Sequence, residues 1–435
     1  MTVRSSSLTS KILGILRNVP ATDIIKTPRI FTMSAWPFSR HLGVPPGQGP
    51  FLVGCFDVMT GHSAEGSFLR LYYPTNVKSN NVRPDKSQHP LWLPKKKYGI
   101  GYAEFIKLSS GVMKSWMSWL FDSYRVPAYW NSPLLPSQHK SSFPVMVFSH
   151  GLGANRTTYT TICLEMASQG FVVAAVEHRD KSASATYYLH PSDEGTDLVE
   201  EWVPYERPVP GEDEFPLRSR QVNHRADECV KALNLLEQLN SGENITNMMD
   251  NECNFHQFKG RLDFSKIAVS GHSFGAATAL MSCHKDQRFN CAVALDSWLF
   301  PLEKMVASEM KQPALFINTE KFQWPGNIVR MNRFCHENNQ TDRKMITIKG
   351  TVHQSQGDFP FLLNSVLGRI IKCRGSLDPH VAMTINNNAS LAFLYKHLGM
   401  ECNRSYEEVL AGRNEHVIIG TNIKLDPEYK KKSGL

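Results

Sequence analysis

The pentapeptide Gly271-His272-Ser273-Phe274-Gly275 limits what this chain can fold into more than any other feature. It follows the apolar run Ile267 to Val269 and precedes the helix-forming run Ala276 to His284, so the backbone must pass from strand to helix within it. At so tight a turn the flanking side chains would collide. Glycine therefore stands on either side, and the serine hydroxyl projects above the edge of a sheet. The start of the new helix aims backbone amides at the same point and favours negative charge there. A bare G-x-S-x-G string arises by chance in many chains; the strand before it and the helix after it give it meaning.

Serine at its ordinary pKa is a poor nucleophile and needs a base, normally a histidine oriented by a carboxylate. On a scaffold with this elbow the chain order is serine, acid, histidine. The downstream histidines are His284, His336, His353, His380, His397 and His416. His353 follows the strand-like run Ile346 to Ile348 after a short loop, where late strands deliver a base. His284 and His397 fall on helical stretches and read as packing or surface residues. For the acid, Asp296 ends the run Cys291 to Leu295 and Glu320 lies just past Ala314 to Ile317. Spacing alone leaves both open. An oxyanion hole needs a second amide besides that of Phe274, and the glycine-flanked turn Phe148-Ser-His-Gly-Leu-Gly153 after an apolar strand can supply it.

From about residue 50, short β-branched and aromatic runs alternate with longer helical periodicities, the pattern of a largely parallel sheet covered by helices. Candidate strands are Phe68 to Tyr73, Val145 to Phe148, Phe171 to Val176, Ile267 to Val269, Ala292 to Leu295, Ala314 to Ile317 and Ile346 to Ile348. The clearest helix runs from Arg220 to Asn240, where Val222, Ala226, Cys229, Val230, Leu233 and Leu236 recur at three and four residues. With the elbow, this pattern predicts an α/β-hydrolase fold, a mostly parallel central sheet flanked by helices. The polar, acidic stretch 180–215 reads as an insertion or cap over that sheet.

Composition narrows the class further. In 435 residues, 41% are hydrophobic and 20% charged, enough apolar material for a core without the charge excess of disorder. No apolar run approaches the roughly 20 residues that cross a bilayer. The net charge of +8 is dispersed apart from two short lysine runs, which argues against nucleic-acid binding and suits at most weak attraction to anionic lipid. Nine scattered cysteines with no C-x-x-C pair argue against a disulfide framework or a zinc site and suggest a reducing compartment. No cofactor or metal is expected.

Three regions are expected along the chain: a basic N-terminal extension, 1–45, a catalytic domain, 46–415, and a C-terminal tail, 416–435. The first 32 residues carry Arg4, Lys11, Arg17, Lys26 and Arg29 against the single acid Asp23. That start fits a mitochondrial transit peptide or a leader ahead of a working start at Met33, and its apolar stretch is too short for secretion. In the segment 104–124, Val112, Met113, Trp116, Met117, Leu120 and Phe121 fall on one helical face with Trp119 on its flank and lysines at the margin. Such a helix fits either a lipid interface or a core contact. A second apolar segment, Phe359 to Lys372, presents Phe361, Leu362, Val366, Leu367, Ile370 and Ile371 close behind His353 and could draw substrate from a membrane.

Taken in order, these stretches resemble the platelet-activating factor acetylhydrolases of the group VII phospholipase type across roughly residues 45–412. Further matches are Val53-Gly-Cys55, Leu69-Arg-Leu-Tyr-Tyr-Pro74, Trp130-Asn-Ser-Pro133, Glu177-His-Arg-Asp180, Ser182-Ala-Ser-Ala185 and Ala294-Leu-Asp-Ser-Trp298. The resemblance implies a triad of Ser273, Asp296 and His353, with Glu320 structural and oxyanion amides on Leu152 and Phe274. It implies calcium-independent hydrolysis of the short or oxidised sn-2 acyl group of glycerophospholipids, peripheral contact with lipid through the two apolar segments, and a cytoplasmic location. Trp298 and Gln354, beside the triad in sequence, are expected pocket walls. Glu200-Glu-Trp-Val-Pro204 and Arg374-Gly-Ser-Leu-Asp-Pro379 resemble the intracellular branch. Two departures stand out. Ala276 replaces a second glycine, a change that fits if the methyl points from the helix–sheet contact, and neither Met1-Thr2 nor Met33-Ser34 offers a myristoylatable glycine. On residues alone, a hydrolase for another ester or peptide and a catalytically silent lipid-binding protein of the same fold stay open.

Overall fold

The computed structural model describes residues 43–77, 88–193, 195, 197–249, 253–337 and 341–425. All but three residues of the basic extension, and the last ten residues of the tail, lie outside them. Twelve strands are described: β1 Leu52–Met59, β2 Phe68–Thr75, β3 Tyr129–Trp130, β4 Phe143–Ser149, β5 Val172–Val176, β6 Ala185–Pro191, β7 Leu198–Pro204, β8 Leu262–His272, β9 Cys291–Leu295, β10 Ala314–Thr319, β11 Arg343–Ile348 and β12 Val417–Ile419. Ten of them form one sheet in the order β12-β11-β10-β9-β8-β4-β5-β2-β1-β3. The run from β5 to β11 is parallel throughout, while β2 joins β1 and β5 antiparallel and β12 closes the far edge antiparallel to β11. Every strand expected from sequence lies in this sheet.

Eleven helices accompany them: α1 Lys96–Phe105, α2 Gly111–Phe121, α3 Thr160–Ser168, α4 Phe215–Ser241, α5 Phe274–Lys285, α6 Met305–Glu309, α7 Pro325–His336, α8 Phe359–Leu362, α9 Ser365–Ile370, α10 Pro379–His397 and α11 Arg404–Leu410. The strand period of two divides the core between the sheet's faces. Met146, Phe148, Val173 and Ala175 meet Ile162 of α3 and Ile385, Ala389 and Phe393 of α10 on one side. Val145, Val147, Val172 and Ala174 meet Val222, Ala226 and Cys229 of α4 and Ala277 and Leu280 of α5 on the other. Burying both faces is why the central strands read as unbroken apolar runs.

Within the stretch 180–215, expected as an insertion or cap, Ala185–Pro191 and Leu198–Pro204 pair as the hairpin of β6 and β7. The structure corrects two other expectations. The sheet continues past the boundary expected at 415, because Val417–Ile419 pairs with Ile346–Ile348 and covers the open edge of β11. Phe359 to Lys372 is not one helix: Asn364 accepts from the Leu367 amide and starts α9 separately from α8.

Candidate active site

The elbow sits where β8 ends and α5 begins. Ser273 holds φ 58° and ψ −114°, a conformation that costs an L-residue about 1–3 kcal/mol and is tolerated only where the surroundings enforce it. The enforcement is visible in the contacts of its neighbours. A Cβ on Gly275 would lie 2.0 Å from the Ser149 carbonyl oxygen and one on Gly271 would lie 2.2 Å from the Gly275 oxygen, so only glycine lets the turn press against the end of β4. The Ser273 amide is tied to the Leu295 carbonyl at 2.8 Å, and its own carbonyl accepts from the Trp298 amide at 3.1 Å. Ala276 is fully buried and packs into the core on the α4 side of the sheet, so its methyl is accommodated there rather than turned away.

Asp296 leaves β9 with φ 42°, a second strained residue at the same edge. Its carboxylate is buried and receives the Thr319 amide at 2.7 Å, the Thr319 hydroxyl at 2.7 Å and Nδ1 of His353 at 2.6 Å. These bonds fix one orientation of the acid, and they leave Nε2 as the nitrogen through which His353 can accept a proton. Glu320, the rival acid, faces elsewhere. Its carboxylate takes the Gly350 amide at 2.6 Å and the Lys321 ammonium, and these bonds hold its pKa below the usual carboxylate range. It shapes the loop that carries His353 and does not touch the imidazole.

Leu152 lies in the turn after β4, where a Cβ on its neighbour Gly151 would come within 3.4 Å of His272 in the elbow. Among the described residues neither the Leu152 nor the Phe274 amide has an acceptor, as donors reserved for a ligand require. Trp298 is half-buried, edge-on to Phe274 at 5.6 Å and stacked on Phe300, while Gln354 is half-buried in the turn of 3₁₀ helix that begins at His353. His284 and His397, set aside from sequence, lie against Glu309 and Asp342 away from the elbow.

Three residues at the site were not singled out from sequence. The Phe322 ring stacks on His353 at 3.6 Å and carries Trp324 edge-on behind it. His272, inside the elbow, accepts from the Tyr159 hydroxyl at Nδ1 (2.8 Å) and donates from Nε2 to the His353 backbone carbonyl (3.0 Å). Tyr159 in turn accepts from the Gly151 amide at 3.3 Å, so one bonded path joins the turn after β4, the elbow and the histidine loop. Burial and the nearby His353 hold His272 well below the usual imidazole pKa, and this neutral form is the one that donates and accepts at once. Side chains of His272, Asp296 and His353 bring donor atoms within 4.8 Å of one another, the spacing of a metal site, but those hydrogen bonds already engage both nitrogens of His272 and Nδ1 of His353. No periodicity announces such a path, since it joins residues more than a hundred positions apart.

The lipid-facing expectation divides. On α2, Val112, Trp116 and Trp119 are exposed, Met113 is intermediate, and Met117, Leu120 and buried Phe121 turn toward the core. In the second segment Val366 and Ile370 are exposed, whereas Phe361 and Leu362 are buried and Leu367 packs against the core. Phe361 and Leu362 therefore cannot form a surface contact, because the break at Asn364 turns α8 inward. No described helix is long and apolar enough to cross a membrane.

A parallel sheet with a serine on its strand-to-helix elbow, and a histidine–carboxylate pair at the same edge, defines an α/β-hydrolase. A ferulic acid esterase from Streptomyces cinnamoneus shares this fold, with a TM-score of 0.57 at 17% identity over 88% of this chain and 98% of that one. The family model for platelet-activating factor acetylhydrolase, isoform II, matches residues 36–417, and the chain belongs to that family. A platelet-activating factor acetylhydrolase of Gallus gallus is 45% identical over 88% of this chain and 90% of its own length. One from Canis lupus familiaris is 42% identical over 90% and 85% respectively. A putative phospholipase A2 of Schizosaccharomyces pombe is 27% identical over 89% and 97%.

Proposed function

We propose that this chain hydrolyses the short sn-2 acyl group of glycerophospholipids, acetyl above all, to a lysophospholipid and a carboxylate, without calcium. The observation that carries the reading is the 2.6 Å bond between His353 Nδ1 and Asp296, at the sheet edge that holds Ser273, in a member of this family. In the proposed reaction Ser273 Oγ attacks the ester carbonyl carbon as its proton passes to His353 Nε2. The Asp296 carboxylate holds the imidazole in place and offsets its charge. The amides of Leu152 and Phe274 bind the tetrahedral oxyanion. Collapse breaks the bond to the glycerol oxygen, which leaves with the proton from His353. Water, deprotonated by the same histidine, then releases the acetyl group and frees the serine. Trp298 and Gln354 serve as walls of the acyl pocket.

The exposed apolar residues of α2 and α9 support peripheral docking on a lipid surface. Nine free thiols support a reducing, cytoplasmic setting, in keeping with the intracellular branch. The test is release of acetate from an sn-2 acetyl glycerophosphocholine with excess chelator present. Wild-type turnover is expected to persist, and Ser273→Ala to lose several orders of magnitude. Substantial hydrolysis by Ser273→Ala would overturn the assignment.

A further inference from the structure

Beside the histidine loop lies a cleft of about 400 Å³ that the proposed reaction leaves unused. Its walls include Lys321, Arg369 and Arg374, and its floor is backbone at Gly350, Val352 and Gly375. The floor is backbone for a steric reason: a Cβ on Gly375 would lie 2.0 Å from the Gly350 carbonyl oxygen. Two of the lining residues neighbour the histidine and its stacking partner in the chain. Val352 directly precedes His353, and Lys321 directly precedes Phe322, whose ring stacks on the imidazole.

The charge is uneven. Among the described residues no carboxylate lies within ion-pair distance of Arg369 or Arg374, and Arg374 spends only its Nε, on the Pro360 carbonyl at 2.7 Å. Of the nearby acids, Glu320 is committed to Lys321 and the Gly350 amide, and Asp378, whose charge reaches Arg374 without pairing with it, caps α10 through the His380 amide. Two guanidinium groups thus line an open recess with donors to spare, a setting suited to a phosphate. The helix α9 that carries Arg369 also presents exposed Val366 and Ile370.

We propose that this cleft binds the phosphodiester of the substrate, an inference that rests on the phospholipid-hydrolase reading above. In a glycerophospholipid the phosphate and the sn-2 ester are a few bonds apart, so an anion site beside the loop that carries His353 can hold one while the other meets Ser273. Arg369 and Arg374 supply the charge-assisted hydrogen bonds, and Lys321 adds charge at the mouth.

The experiment compares kcat/KM for a monomeric sn-2 acetyl glycerophosphocholine, below its aggregation limit, with that for p-nitrophenyl acetate, which has no phosphate. Arg369→Gln, Lys321→Gln and the double variant Arg369→Gln/Arg374→Gln are measured, with Arg404→Gln, an exposed arginine on α11, as control. The ratio of phospholipid to aryl-ester kcat/KM is expected to fall at least tenfold in the double variant, mainly through KM, and to stay put in the control. Arg369→Gln and Lys321→Gln should shift it the same way, which keeps the test valid if loss of the Arg374–Pro360 bond harms folding. An unchanged ratio overturns the proposal, as does an equal fall in both rates. So does an unchanged ratio accompanied by weaker binding to phosphatidylcholine vesicles, which would assign the cleft to bilayer lipid. Failure of Ser273→Ala to abolish both hydrolyses would sink the esterase reading instead, whatever the ratio does.

Discussion

Tyr159→Phe isolates one hydroxyl from the bonded path behind the site. The ring is buried against Phe148 at 5.3 Å and His272 at 5.2 Å, and phenylalanine keeps those contacts. What disappears is the 2.8 Å bond to His272 Nδ1 and the longer 3.3 Å bond from Gly151. Leaving a buried partner unsatisfied costs about 1–3 kcal/mol, and most of that falls on the shorter bond, so a stability loss of roughly 2–3 kcal/mol is expected. The freed imidazole does not charge at neutral pH, because burial holds its pKa down. It can instead exchange tautomers, which turns Nε2 into an acceptor facing the His353 carbonyl and repels the loop that carries the base. A displacement of about 1 Å at a reacting group costs on the order of a hundredfold in rate, so kcat on a soluble aryl acetate should drop ten- to a hundredfold with KM nearly unchanged. Urea denaturation measures the first effect and steady-state kinetics across about pH 6 to 9 the second. If the denaturation midpoint falls as stated while kcat stays within twofold of wild type, the path only packs the interior and the positioning argument is refuted.

Asp296→Asn should lower kcat by about four orders of magnitude, as wrong-tautomer variants of such triads do, whereas Glu320→Gln, which can still accept from Gly350, should stay within about threefold; equal losses would reverse the assignment of the acid. Burial pushes the Asp358 carboxyl up to about 6 against the pull of donors from Trp92, Thr160 and Thr161. A raised acid contributes stability that is full below its unfolded value near 4 and is lost as pH rises through about 6, a swing of roughly 3 kcal/mol. Relative to wild type, Asp358→Asn should therefore show a flatter stability profile between those limits in urea titrations, and an identical slope would refute the assignment. Trp119→Ser on α2 should weaken binding to phosphatidylcholine vesicles about tenfold in a flotation assay, given the ring's 66% exposure; unaltered binding would remove α2 from the lipid-facing surface.

Much of this architecture was legible because it follows from local rules. The strands around Val147 and Val293 are continuous apolar runs, and the elbow glycines answer a steric demand that shows in five residues. Ser273, Asp296 and His353 could be named as candidates because each ends a strand at one sheet edge. Spacing could not choose between Asp296 and Glu320, since both leave neighbouring strands at that edge; the choice lies in a side-chain direction set by Thr319. Helical periodicity found the apolar faces of α2 and of the segment near Phe361, but a segment apolar on several sides does not say which side meets the core. The Tyr159–His272 path and the Phe322 stack were hidden for a different reason, as they depend on contacts between elements remote in the chain. The edge strand at Val417 was too short to carry a period.

The positive φ at Ser273 couples durability to inactivity. Glycine would relax that backbone without orphaning a buried donor, whereas at Asp296 it would strand the Thr319 and His353 donors, so Ser273→Gly is expected to yield a sturdier protein that no longer turns over substrate. A screen for thermal resistance alone would drift toward such dead variants, and any effort to harden this scaffold must select for ester cleavage at the same time.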